Sequence, residues 1–226
     1  MNIPGYISEY CLKIDKIEQN PYFIKLLNKP CLNSFLKSQE CFIDAIDHWS
    51  RILGLLVFNL PSDKERLAII QNLYDEHGNG DINSSHVNTF KKLLVSLNYE
   101  SEIRFRDKSL TTYWKINDFN EKLTTMVLKE SWVVSVAALG MIEYTYSQIS
   151  GFMHRYIRNF LNPELINHYG IHEKLDQYHA KGFFDLISDQ NNYDIKKGLD
   201  LGYNLLYQLY ERLSNELEFL PTTTSE

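Results

Sequence analysis

Three side chains in the run His172-Glu173-Lys174-Leu175-Asp176-Gln177-Tyr178-His179 combine metal-ligand chemistry with helical spacing. Steps of four and three place His172, Asp176 and His179 on one face of a helix. Imidazole and carboxylate together form a donor set that suits iron. Glu76 and His86 flank the glycine-rich segment "HGNGDINSS", and Glu143 closes the apolar run "SVAALGMI". Three carboxylates and three imidazoles, on separate segments of the chain, suffice for two metal ions.

Each of these groups also has a plainer reading. The 172–179 trio could be a solvated polar face, although Ile171, Leu175 and Tyr178 flank it with apolar groups, as inward-pointing ligands require. Glu143 follows a segment that is apolar all round and therefore buried. A carboxylate there is costly unless it is paired or bound to metal. A buried salt bridge, or the point where the helix emerges into solvent, would also account for it. Ala137 and Gly140 lie back along the face of Glu143; small side chains there leave space for a ligand or let helices pack closely. Val136, Leu139 and Gly140 are the substrate-contacting residues expected on this helix.

Rival metal schemes fail on spacing. A zincin needs His-Glu-x-x-His, and the fifth position after His172-Glu173 is Asp176. A ferritin-type bundle needs Glu-x-x-His, which this chain lacks. A mononuclear two-histidine, one-carboxylate iron site could use the trio alone, leaving Glu76, His86 and Glu143 without a purpose. The "HGNGD" turn has no Walker lysine and no preceding strand, so it is not a phosphate cradle.

The remaining candidates read as structural. His168 lies one turn before His172 and is read as a surface residue, with support of a ligand as the alternative. His154 stands roughly 16 Å along the axis from Glu143, too far to share a metal. His48 and His77 read as structural or solvated, Arg155 and Arg158 as surface charge, and Tyr203, Tyr207 and Tyr210 as packing at the core rim.

The elements that must position these residues all show helical periodicity. Helices are expected at about 6–19, 20–28, 32–59, 63–77, 84–98, 119–161, 164–188 and 193–218, with a polar surface connection at about 99–118. Phe35, Phe42, Ile46, Trp49, Leu53 and Leu56 form the buried stripe of the third. Ser62 or Asp63 is the expected N-cap of the fourth. Without any alternating strand pattern, the fold class is all-α, a single helical domain over residues 1–220 followed by a flexible tail, 221–226.

A net charge of −6 and a pI near 5.7 argue against nucleic-acid and anionic-membrane partners. The three cysteines, Cys11, Cys31 and Cys41, lack metal-site spacing and read as reduced thiols. No signal peptide is visible, the apolar runs are shorter than a membrane span, and a cytoplasmic location is expected. The expected partners are a small-molecule substrate, an external electron donor and a second copy of the chain in a homodimer.

Taken together, these residues resemble the haem-oxygenase-like di-iron oxidases and oxygenases. "NLYDEHGNGDINSSHVNTF" is similar to that family's first block, "VAALGMIE" to its second, and "HEKLDQYH" to its third, His-x3-Asp-x2-His. The resemblance covers the chain from the 32–59 helix to His179. It implies a bundle of about seven helices without haem, and two Fe(II) ions held by Glu76, His86, Glu143, His172, Asp176 and His179. It also implies O2 as co-substrate. Spacing alone would group Glu76, His86 and Glu143 on one iron, with His172, Asp176 and His179 holding or bridging to the second.

Members of the family spend the oxidant differently, on C–C fragmentation of fatty acids or amino acids, on N-oxygenation, or on rearranging a tryptophan derivative to an indole nitrile. This chain resembles the nitrile-forming member more than the others. N-oxygenating members resemble one another in an extra Glu ligand on the helix before Glu76; here no Glu occurs between Glu40 and Glu65, which disfavours N-oxygenation, although Asp44 and Asp47 could substitute. The activity implied is oxidation of an amino acid or similar small carboxylate metabolite. Two other classes stand beside it: a metal-free, thiaminase-like enzyme of the same fold, and a helical interaction protein.

Overall fold

The computed structural model describes residues 5–14, 17–28, 32–40, 42–97, 111–160 and 168–217. Among these, every regular element is helical. Three short helices come first: α1 (Gly5–Ile14), α2 (Pro21–Leu27) and α3 (Leu32–Glu40). Seven follow: α4 (Phe42–Asn59), α5 (Asp63–Glu76), α6 (His86–Ser96), α7 (Thr111–Lys129), α8 (Trp132–Ile157), α9 (His168–Ile187) and α10 (Asn192–Leu213). The expected all-α bundle is α4–α10. No helix among the described residues is long and apolar enough to cross a membrane.

The expected boundaries depart from the structure at several places. The 6–19 helix is α1 with a short 3-10 turn at Ile17–Gln19, and the 32–59 helix is described as α3 and α4. The 119–161 helix is two helices, because Ser131 adopts an extended conformation and its side chain caps α8 by accepting from Val134 N at 3.3 Å. Residues 111–118, read as part of a surface connection, are the first turns of α7. Residues 99–110, the rest of that connection, and the tail 221–226 lie outside the described residues.

Helix α8 is the axis of the bundle. Apart from its ends it is almost wholly buried, and its broadest contacts are with α9 and α10. Close approach of α10 depends on two glycines one turn apart. A Cβ at Gly198 would meet Val134 O at 2.4 Å, and one at Gly202 would meet Ala138 O at 2.2 Å. Helix α4 closes the other side, burying the whole expected stripe from Phe42 to Leu56 against its neighbours. At about 1.5–3 kcal/mol for each large apolar side chain taken out of water, that stripe fixes which face of α4 looks inward.

The turn between α5 and α6 brings the first pair of candidate ligands together. Gly78, Asn79 and Gly80 all have positive φ (68°, 55° and 90°), and a Cβ at Gly78 would lie 2.6 Å from the backbone of Ser84. Only glycine fits that approach. Tyr74 Oη donates to Asn79 O at 2.7 Å and braces the turn.

Candidate metal centre

Four helices deliver the candidate ligands to one buried volume. Glu76 is the last residue of α5 and His86 the first of α6, so the tight turn carries the chain from one to the other. Glu143 comes from the middle of α8, and His172, Asp176 and His179 from one face of α9. All six are at most 8% exposed. The solvated-face reading of the α9 trio therefore does not hold, and Glu143 does not emerge into solvent.

Glu76 Oε2 contacts His86 Nδ1. Glu143 Oε1 accepts from Trp49 Nε1 at 3.2 Å and from Asn72 Nδ2 at 3.1 Å. These two neutral donors fix the carboxylate's orientation. His172 Nδ1 lies 2.8 Å from Asp176 Oδ1. His179 sets Nε2 3.2 Å from Asp75 Oδ2 and turns Nδ1 toward Glu143, 3.7 Å away.

Among the described residues several buried atoms have no hydrogen-bond partner: His86 Nε2, Asp176 Oδ2 and His179 Nδ1 at these positions, with His168 Nε2 beside them. Buried polar atoms are almost always satisfied, so four orphans around one volume mark the place where a cation would sit. Glu76, Glu143 and His179 bring donor atoms within 4.8 Å of one another, and so do His86, His168 and His172. That grouping differs from the one spacing suggests. His172 and His179 are seven residues apart, about 10.5 Å of helix rise, so their rings reach different halves of the centre with Asp176 between them.

The electrostatics agree. Burial pushes the Glu76 carboxyl up, and burial with repulsion from Glu143 and Glu76 raises Asp176 well above the usual range. Burial also holds His86 and His168 well below, and His172 below, the ordinary imidazole value, as neutral ligands require. His179 is the exception. Burial opposes its charge, but the nearby carboxylate of Glu143, with Glu76 and Asp176, carries it up to about 9. Three acidic groups crowded out of water want positive charge.

The profile of the iron-containing redox enzymes, a haem-oxygenase-like family, matches residues 46–194, well over half of the chain and all of the centre. The chain belongs to this family. Comparison with curated proteins returns no match. The orphaned donors and the nitrogen-and-oxygen ligand set fit the iron that gives the family its name.

Beside the centre lies a small cavity of about 60 Å³. Glu76, His86, Glu143 and Asp176 form its polar wall, and Phe42, Ala45, Ile46, Trp49, Phe119, Ile142, Leu206 and Leu209 most of the remainder. Tyr146, one turn beyond Glu143, also lines it, its hydroxyl held in the protonated form by burial and by Asp176, Glu76 and Glu143. Val136, Leu139 and Gly140 do not line it. Val136 and Leu139 are fully enclosed in the core, and the space at Gly140 is taken by Phe183 and Phe184 of α9, which would stand 2.7 and 2.9 Å from a Cβ there. The small residue serves helix packing.

Other expectations resolve as follows. Asp47 pairs with Arg51 at the surface, neither Asp44 nor Asp47 lines the cavity, and the α4 side chain that reaches the centre is Trp49. His48 is half-buried with Nε2 2.9 Å from Thr124 Oγ1, His77 is exposed, and His154 lies 3.5 Å from Glu173. Arg155 reaches Glu18 on the surface. Tyr203 and Tyr207 are at the core rim, whereas Tyr210 is wholly inside it, against Tyr22, Phe23 and Phe42. His168 is not a surface residue but 2% exposed.

Sequence reasoning missed Trp49, Asn72, Asp75 and Tyr146. Asn72 carried a signal, since it precedes Glu76 by four residues and shares its helical face. Asp75 did not, because its partner is distant in sequence.

Proposed function

We propose that the protein is a di-iron, O2-dependent oxidase acting on a small carboxylate-bearing metabolite with a bulky apolar body, an amino acid first of all. The observation that carries this reading is the convergence of six buried iron-competent side chains, three with orphaned donor atoms and four of them forming the polar wall of an otherwise apolar cavity. A metal-free enzyme of the same fold would leave those donors and the repelling carboxylates without compensation.

Bound Fe(II) with open positions would supply the redox chemistry, taking up O2 and accepting the substrate's oxygen donors. The chain's own residues do the rest. Trp49 and Asn72 hold Glu143 in one orientation, and Asp75 orients His179. Phe42, Phe119 and Trp49 present aromatic surface to the substrate body, while Ile142, Leu206 and Leu209 keep water from the reacting bond. No Lys or Arg is among the residues lining the cavity, so the substrate carboxylate finds its positive charge at the metal centre rather than in a guanidinium clamp. Tyr146 keeps a proton at the edge of the centre.

An aromatic amino acid fits that lining, and conversion of a tryptophan derivative to a nitrile is the specific reaction we favour within the class. C–C fragmentation of a fatty acid would use the same apolar wall.

Anaerobic reconstitution with Fe(II), metal counting and then mixing with O2 tests the reading. Uptake of about two irons per chain, lost in Glu143→Ala and His172→Ala, is expected. So is faster decay of the oxygenated species with tryptophan derivatives than with polar amino acids. Failure to take up iron would sink the proposal. Equal response to fatty acids alone would shift the substrate class.

A further inference from the structure

His168 does not fit its expected surface role. It opens α9 one turn before His172, it is 2% exposed, and its ring stands against those of His86 and His172, with centroids 5.0 and 4.8 Å away. The His86 and His172 rings are themselves stacked at 3.8 Å. Three imidazoles thus share one buried pocket, each with a ring nitrogen within 4.8 Å of the other two.

The hydrogen bonds of Thr89 decide which nitrogen of His168 is free. Thr89 Oγ1 donates its single proton to His86 O at 2.9 Å. Its contact with His168 Nδ1, at 3.0 Å, must then be one it accepts. His168 therefore carries its proton on Nδ1, and in the neutral ring Nε2 bears a lone pair. That Nε2 is buried and has no partner among the described residues. His86 repeats the pattern, with Nδ1 against the Glu76 carboxylate and Nε2 buried and orphaned. An imidazole whose far nitrogen is pinned by an oxygen acceptor and whose near nitrogen offers an unused lone pair is set up as a metal ligand. Were the ring there only to fill space, a phenyl group would do so without burying an unsatisfied nitrogen.

We propose that His168 is a metal ligand, joining His86 and His172 around one ion of the centre. The assignment rests on the two-metal reading above and adds a seventh ligand to it. It makes one half of the centre rich in imidazole, while Glu76, Glu143 and His179 hold the half rich in carboxylate. Thr89 is a positioning residue that fixes the tautomer of the new ligand.

The test counts metal rather than turnover. Full-length wild-type protein, His168→Phe, His168→Gln and His168→Ala are loaded anaerobically with Fe(II) and, separately, with Co(II). Bound metal is measured together with circular dichroism and the Co(II) visible bands. Wild type is expected to hold about two ions. The variants are expected to hold about one, with the weaker ion's affinity reduced by more than the roughly 10–100-fold that loss of a merely orienting residue costs. Imidazole added to His168→Ala should restore the second ion and its Co(II) bands.

Folded Phe and Gln variants that bind two ions with affinity within tenfold of wild type would overturn the assignment and leave the two-metal centre standing. A His168→Ala protein that is folded, binds one ion and gains nothing from imidazole also counts against a ligand role. Wild-type protein that takes up no ion would overturn the centre and this ligand with it.

Discussion

Asp75 and His179 meet across α5 and α9, with Oδ2 of the first 3.2 Å from Nε2 of the second. The contact uses one face of the imidazole and leaves Nδ1 as the atom that looks toward Glu143. A carboxylate behind a ligating histidine fixes the ring and raises its basicity. Adjacent residues at the end of α5 thus take different positions: Glu76 points into the centre, and Asp75 holds the candidate ligand His179.

Removing that support should weaken metal binding without unfolding the protein, because Asp75 sits at the edge of the core. Asp75→Ala is expected to lower iron affinity by roughly 10–100-fold, read by competition with a chelator of known affinity. Helical content should match wild type. An unchanged affinity would show that His179 holds its orientation without Asp75.

Buried carboxylates that repel one another are poor for the stability of metal-free protein, and Asp176 is the extreme case. Its carboxyl is raised by burial and by Glu143 and Glu76, and its Oδ2 has no partner among the described residues. Asp176→Asn keeps the shape and removes the charge. Chelator-treated Asp176→Asn should melt no lower than chelator-treated wild type, and higher by on the order of 2–4 °C if about 1 kcal/mol is recovered. Its gain in melting temperature on adding Fe(II) should be far smaller. A variant that melts well below wild type in chelator would assign Asp176 a structural role.

How far the sequence discloses this arrangement depends on range. The α4 stripe from Phe42 to Leu56 and the α9 trio are periodic, so one helix wheel places each of them correctly. Glu143 stands out because its neighbours are apolar. The break at Ser131 is written locally too, but long apolar periodicity on both sides masks it. Trp49 and Glu143 are 94 residues apart, His179 and Asp75 are 104 apart, and no local pattern joins such pairs. Gly140 looked like space for a ligand because its own helix shows nothing on that face. Phe183 and Phe184 fill it from α9. His168 was assigned to the surface for the same reason, since the partners that enclose it come from α6.

Metal uptake should strengthen as pH rises, while the metal-free fold weakens. In the metal-free fold His179 titrates at about 9 against an ordinary value of 6.5. Its charged form therefore stabilises that fold fully below pH 6.5, and the contribution is lost as pH rises through 9. Asp176, raised far above 3.8, works in the same direction, since ionising it inside the fold is unfavourable. Melting temperatures in chelator are expected to fall between pH 6.5 and 9. Calorimetric titration with Fe(II) at pH 7, in buffers of different ionisation enthalpy, should show at least one proton released per chain. No net release would mean that the ligands are already deprotonated at neutral pH.

The crossing of α10 over α8 leaves no room for a methyl group. Gly202→Ala would gain up to about 1 kcal/mol of helix propensity, yet its Cβ would stand 2.2 Å from Ala138 O. Neither group is the end of a flexible chain, so the helices must separate. The clash should win, with a net loss on the order of 2–3 kcal/mol, measurable by denaturant unfolding. Gly182→Ala, where nothing lies within 4 Å of the added Cβ, should be neutral or stabilising. Equal effects at the two positions would refute the close crossing.

The cavity can be separated from the metals by filling it from α4. Ala45 lines the cavity but is not among the candidate ligands, and its neighbours there are Phe42, Ile46 and Trp49. Ala45→Phe adds an aromatic ring at the apolar wall and leaves all the donor atoms in place. Iron stoichiometry and the Co(II) spectrum should match wild type, because the ligands come from α5, α6, α8 and α9. Substrate-triggered O2 consumption should fall at least about tenfold for a bulky amino acid, through a higher KM, since a small steric misfit in an apolar pocket already costs 1–3 kcal/mol. Loss of iron with the substitution would place Ala45 against the ligands instead. Unchanged consumption would move the substrate out of this cavity.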